Sequence, residues 1–426
     1  MVGAMLCRSL LALLASAAVA CAHAPARDTA TPLAPPPPEV QAPAAAAEPQ
    51  PTEPAPAAAV VAAAPPPAPL PPVRSLELRL VKTFPGAVAP KAVALSPDGR
   101  WAAVMNLEGM EAWLVDARTL EIDRHIDLEP FKEPAEGYDY SRKKPIASFA
   151  QKPVEAVFSP DSRWLWFSLH NGASVVAYDL LEQDVVDPAS PHYRAVIRDR
   201  AGSNRVWRLP KVPTGRTPKV VEITPDGKQL LVANWHSGTI TVVELATRTV
   251  TATIQSGASP RFVPRGLAIA SDSRTAYVAN MGGGTISTID LVALAKVRED
   301  AITPNPRHLA LARDGRTLYI SENGGGVVLK YDLVEGKELG RAAVGDQTRT
   351  IALSRDERVL YAVSNEEGKL VALRTGDLTP LFATPFPAPM GVAVAPDDRR
   401  IWVTSYTGAG YVAVYDVIID ADVPRS

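Results

Sequence analysis

Seven residues stand seven positions ahead of an aspartate that recurs along the chain, and in order they are Lys91, Val154, Lys219, Arg265, Arg307, Arg349 and Met390. Five of the seven are cationic, in a chain where only 44 of 426 residues are Lys or Arg. A fold that gathered them would place five like charges at one opening, at a cost unless an anion or acidic neighbours offset them. Arginine suits an anion, because its planar fork meets carboxylate or phosphate through two hydrogen bonds. Glu322 is an acidic residue expected on a nearby loop, where it would offset part of the charge. A second group follows the same aspartates: His170, Asn171, Trp235, His236, Met281, Asn323, Asn365 and Tyr406. Trp235 and Tyr406 offer stacking surfaces for a sugar or a base. His170 and His236 belong to successive copies of the pattern, but two histidines without a third ligand do not make a metal site.

Other chemistry finds little support. Both cysteines, Cys7 and Cys21, fall in the first 21 residues, so the rest of the chain has no thiolate for zinc, haem attachment or nucleophilic attack. No GxSxG elbow, P-loop, GxGxxG, HExxH or EF-hand loop occurs, and no cofactor is expected. The net charge of −2 argues against a globally basic nucleic-acid binder.

The elements that must position these residues come from an internal repeat. Its turn aspartates are Asp98, Asp161, Asp226, Asp272, Asp314, Asp356 and Asp397, spaced by 63, 65, 46, 42, 42 and 41 residues. The clearest copies are IALSRDERVLYAVSNEEGKLVAL (351–373) and LAIASDSRTAYVANMGGGTISTID (267–290). A period near 42 with four short β-runs per unit is the signature of a propeller blade. An aspartate in every copy is a turn former, accepting backbone N–H groups, and is assigned no chemistry. Asn106, Asn234 and Asn280 close second strands and read as loop-capping amides.

Tyr277-Val278-Ala279-Asn280, with Gly282 to Thr285 and Ile289-Asp290, resembles the YVTN β-propeller repeat, and the SPDGR turn at Ser96 to Arg100 fits it. The resemblance spans about 340 residues. It implies an all-β fold, a seven-bladed β-propeller of four-stranded antiparallel blades. Ser75 to Phe84 (SLELRLVKTF) alternates as a strand and is expected to close the ring as the outer strand of the last blade. Two of the spacings exceed the period by about 20 residues, which marks two insertions. The first, roughly 129–150, opens on the face of the cation column and is a candidate lid or rim. The second, roughly 181–200, separates the third and fourth strands of the second blade.

The N-terminus reads as an export signal. Arg8 precedes the apolar run SLLALLASAAVA, which is long enough for a signal h-region and too short to span a bilayer. Ala18-Val19-Ala20 is followed by Cys21, an arrangement resembling a bacterial lipobox with Ala18 in place of the usual leucine. Lipidation of Cys21 would anchor the chain to the outer membrane, on its periplasmic or cell-surface side; ordinary cleavage would leave it soluble in the periplasm. Residues 25–73 contain 17 prolines in 49 positions and read as a disordered tether. The expected domains are thus a signal at 1–20, a Pro/Ala tether at 21–74 and the propeller at 75–426.

The function expected on these grounds is binding or scaffolding. The ligand would be an anionic small molecule, a glycan or an acidic protein surface, held at the mouth with Trp235 and His236 beside it. One alternative is a lactonase- or hydrolase-like enzyme at the same mouth, since some propellers of this kind use charged residues there, with Glu322, His236 and Arg265 the candidates. Another is a single-strand nucleic-acid binder, for which the sequence lacks a continuous basic groove.

Overall fold

The computed structural model describes residues 70–139 and 142–421. The export signal, Cys21 and the tether up to residue 69 lie outside the described residues, and the strand that follows already begins at Val73.

Each repeat becomes a sheet for a reason visible in its sequence. Second strands carry unbroken apolar runs, such as Leu230-Leu231-Val232-Ala233, each fully buried. Continuous runs of this type fit strands covered on both faces, whereas alternation fits a half-exposed strand. Outer strands such as Ala295–Ala301 (AKVREDA) and Lys337–Ala343 (KELGRAA) are mostly polar and solvated. At the turn between first and second strands, all seven aspartates accept the N–H two residues ahead. Asp272, for example, takes it from Arg274 at 2.8 Å and Asp397 from Arg399 at 3.1 Å. These residues are architectural, as their recurrence implied.

Pro264–Ile269, Thr275–Asn280, Thr285–Asp290 and Ala295–Ala301 pair antiparallel in chain order, and the repeats beginning at Pro218, Pro306 and Thr348 do the same. The first strands pack side by side in the order Pro90–Leu95, Pro153–Phe158, Pro218–Ile223, Pro264–Ile269, Pro306–Leu311, Thr348–Leu353 and Pro389–Val394, and the last returns to the first. The result is a propeller-type ring with these strands innermost. Val73–Ala87 forms the outer edge of the final sheet, pairing antiparallel with Gly410–Ala421, while Phe84 stacks on Trp402 at 5.6 Å between ring centroids. The edge that the chain's end would expose is thereby covered.

The second insertion departs from expectation. It is a strand, His192–Asp199, inserted between Glu121–Asp127 of the first repeat and Asn204–Pro213 of the second. It fuses two repeats into one nine-stranded sheet, so the expected four-stranded unit does not hold there. Alternation explains it: Tyr193, Ala195 and Ile197 are buried in the core those repeats share.

The first insertion is a short 3-10 turn, Glu129–Phe131, then the hairpin Pro134–Asp139 with Lys144–Phe149. Fully buried Gln151 ties down its base, accepting from Glu133 N at 2.8 Å and donating to Phe131 O at 3.0 Å. Asn171 holds the returning strand by donating to Ser148 Oγ at 2.8 Å.

Candidate functional site

The column of cations sits on a backbone irregularity repeated around the ring. Every inner strand has a register shift just after its first residue, with Lys91, Val154, Lys219, Arg265, Arg307, Arg349 or Met390 inside it. In six strands the residue before the strand is left-handed: Ala89, Thr217, Val263, Asn305, Gln347 and Ala388 have φ between 42° and 57°. β-branched residues such as Thr217 and Val263 rarely adopt this conformation, and bulges re-aim side chains. The combination turns the next side chain into the mouth. Gly266, just after Arg265, lets neighbouring inner strands meet closely, since a Cβ there would lie 2.7 Å from Arg307 O.

All five cations line one cavity of about 500 Å³. Each of four touches the side chain nine residues after an aspartate, from its own repeat, the preceding one or both. The Lys219 ammonium lies 4.6 Å from the Trp235 ring centroid and also contacts His170 Nε2. Lys91 sits 4.9 Å from the Tyr406 ring centroid. Arg307 donates to Asn323 Oδ1 at 3.3 Å and approaches Met281 Sδ at 3.9 Å; Arg349 donates to Asn365 Oδ1 at 3.4 Å and to Gln347. Among the described residues, Arg265 alone of the five meets a carboxylate, donating from Nη2 to Glu155 Oε1 at 3.0 Å. Its Nη1 is buried with no acceptor among the described residues, and so is Arg349 Nε.

The electrostatics follow from this crowding. Burial first, then the neighbouring Arg265, holds Arg307 and Lys219 well below their ordinary pKa; burial and then Arg307 do the same for Lys91. Arg349 is lowered to about 10 by burial and by Arg265. His170 is held well below its usual value by burial and by Lys219. A neutral His170 accepts from Lys219 at Nε2, so its Nδ1 hydrogen faces Asn171 Oδ1 at 2.8 Å. On the inner strand Pro218–Ile223, burial and the Glu155 charge raise Glu222 to about 8, leaving it protonated at neutral pH. His308 is lowered to about 4, mainly by burial.

The residues named from sequence divide clearly. Lys91, Lys219, Arg265, Arg307, Arg349, His170, Trp235 and Tyr406 meet at the cavity. His236 stacks on Trp235 at 5.2 Å between centroids and shares a hydrogen bond of 2.7 Å with Thr217 Oγ1, lining an adjoining recess of about 460 Å³. Glu322 is not brought there. It takes the strand-end position that Asn106, Asn234 and Asn280 occupy in other repeats, opposite Pro306, and its carboxylate accepts from Thr303 Oγ1. The carboxylate that offsets the cations is Glu155. Its signal was present in the sequence: the residue after each column position is Ala92, Glu155, Val220, Gly266, His308, Thr350 or Gly391. Glu222 is likewise the one charge in a row otherwise made of Ala94, Val157, Ala268, Ala310, Ala352 and Ala393. The hairpin adds Tyr138 and Ile146 to the wall, and Tyr138 meets the His236 ring edge-on at 5.9 Å.

No family model matches the chain, and no curated protein matches it. Among solved structures it is similar to a Kuenenia stuttgartiensis hydrazine synthase chain, at 17% identity with a TM-score of 0.59, over 80% of this chain and 96% of that one. At that identity the likeness speaks for the fold alone. The all-β, β-propeller character of the ring agrees with it.

Proposed function

We propose that this chain is an exported, lipid-anchored, seven-bladed β-propeller of the YVTN-repeat kind, acting as a binding module whose channel mouth takes an anion. The observation that carries the reading is the balance of charge at the mouth. Five column cations converge on one cavity, and a single carboxylate, Glu155, pairs with one of them; the Lys152 and Glu108 side chains that also line it pair with each other at 2.6 Å and cancel. Glu222 is protonated at neutral pH and contributes no charge. Converging like charges are unfavourable in an empty cavity, and a bound anion reverses the sign of that interaction. A guanidinium nitrogen of Arg265, buried without an acceptor, supports the same conclusion.

The test is thermal shift of the full-length chain against a panel of anions, acidic glycan fragments and oligonucleotides, repeated with the Arg265→Ala/Arg307→Ala double variant. An anion that raises the melting temperature of the parent but not of the variant supports the reading. Equal shifts in both proteins place binding elsewhere and defeat it. Anchoring is tested separately: Cys21→Ser should move the chain from the detergent phase to the aqueous phase.

One observation favours a second reading, a lactonase- or hydrolase-like use of the channel. Glu222 is a carboxyl kept protonated at neutral pH, as a general acid must be. Turnover of a lactone panel abolished by Glu222→Gln would favour it over binding alone.

A further inference from the structure

The cavity has two unlike walls, and the geometry points to an amphipathic acid as its occupant: a carboxylate or phosphate head on an apolar, ring-sized body. This deepens the anion reading and rests on it. Three consecutive inner strands supply Arg265, Arg307 and Arg349, and the side chains above that arc are Met281, Asn323 and Asn365. The acceptors Asn323 and Asn365 fix the guanidinium planes, and forked donors from adjacent strands can grip one oxyanion head from several sides. The remaining arc differs in kind. Its uncharged column residue Met390 lines the cavity, the ring above carries Tyr406, Leu107 and Trp235 beside a neutral His170, and the charged side chains there, Lys152 and Glu108, pair with each other at 2.6 Å.

On that same side Lys91 and Lys219 are held over the Tyr406 and Trp235 rings, which spreads their charge against aromatic faces. The hairpin completes the apolar side with Tyr138 and Ile146, which are 37% and 42% exposed and so present surface to an incoming ligand. A bare anion would use the arginine arc and leave this wall wet. A head joined to a ring fills both. A cavity of about 500 Å³ admits a molecule of that size.

Isothermal titration of the full-length chain with matched pairs tests this: inorganic phosphate against phenyl phosphate, and acetate against benzoate. Phenyl phosphate is expected to bind about tenfold more tightly than phosphate, the gain that burial of a ring supplies, and benzoate to gain similarly over acetate. A ring gain in either pair supports the inference, whichever head is preferred. In Tyr138→Ser/Ile146→Ser the ring gain should be lost while binding of phosphate itself is unchanged. Equal affinity of the ring-bearing and bare anions in both pairs overturns the inference and leaves the anion site standing. Binding of none of the four overturns both.

Discussion

Arg265 donates to Glu155 at 3.0 Å across 110 residues of sequence, and the pair is the one salt bridge that the five column cations make among the described residues. Arg265 is 5% exposed, and its charge bears on Lys91, Lys219, Arg307 and Arg349. Glu155→Gln keeps the shape and removes the charge. Breaking a buried pair in this way costs about 3–5 kcal/mol, because the surviving ion stays buried and unpaired. Denaturant titration should show that loss in anion-free buffer, and added phosphate should recover more stability in the variant than in the parent. Equal phosphate responses would mean that the mouth does not bind the anion.

Arg307 offers the opposite experiment. It touches the neutral acceptors Asn323 and Met281 and no carboxylate among the described residues, while Arg265 and Arg349 repel it. Arg307→Met keeps its packing and removes that repulsion. In the absence of ligand the variant should be more stable than the parent by about 1–3 kcal/mol, and should lose phosphate affinity. A less stable variant would show that the charge is compensated within the protein.

The ring and its mouth were legible because each blade writes the same positions at the same offset from its aspartate. Column membership then follows by counting, and Lys91, Lys219, Arg265, Arg307 and Arg349 were found that way. Offsets single out Glu155 as the one acidic residue in the row after the column, but they cannot reveal its partner Arg265, two blades away across the ring. Glu322 neighbours the mouth in sequence, but its strand-end position turns it toward Thr303. His192–Asp199 falls outside the repeat pattern, and of its two partners Asn204–Pro213 lies in its own repeat while Glu121–Asp127 belongs to the preceding blade, which no offset within one repeat reveals.

Glu222 and His308 contribute opposite pH dependences. Folded Glu222 keeps its proton up to about 8 against 4.5 for the ordinary group, so the folded state holds an extra proton between those values. Its contribution to stability is full below about 4.5 and is lost as pH rises to about 8. His308 works in reverse: lowered to about 4 from 6.5, it adds stability as pH rises through that window. The two oppose each other below 6.5, and Glu222 acts without His308 from there to 8. Relative to Glu222→Gln, the parent should lose up to about 1.4 kcal/mol per pH unit across that upper window. Parallel pH profiles for the two proteins would refute the protonated Glu222.

Gln151 decides whether the hairpin stays over the mouth. From the returning end of the hairpin, its fully buried side chain satisfies both Glu133 N and Phe131 O on the entering side. Gln151→Ala leaves two backbone groups without their partner, at about 1–3 kcal/mol for each group that water cannot reach. The blades do not depend on this contact, so the cost should fall on the hairpin as local opening rather than on global unfolding. Hydrogen exchange should accelerate in residues 132–150 while the inner strands keep their protection. If Tyr138 and Ile146 contribute a wall, phenyl phosphate should also lose affinity in this variant and phosphate should not. Unchanged exchange in the hairpin would show that Asn171, donating to Ser148 Oγ at 2.8 Å, is sufficient to hold it.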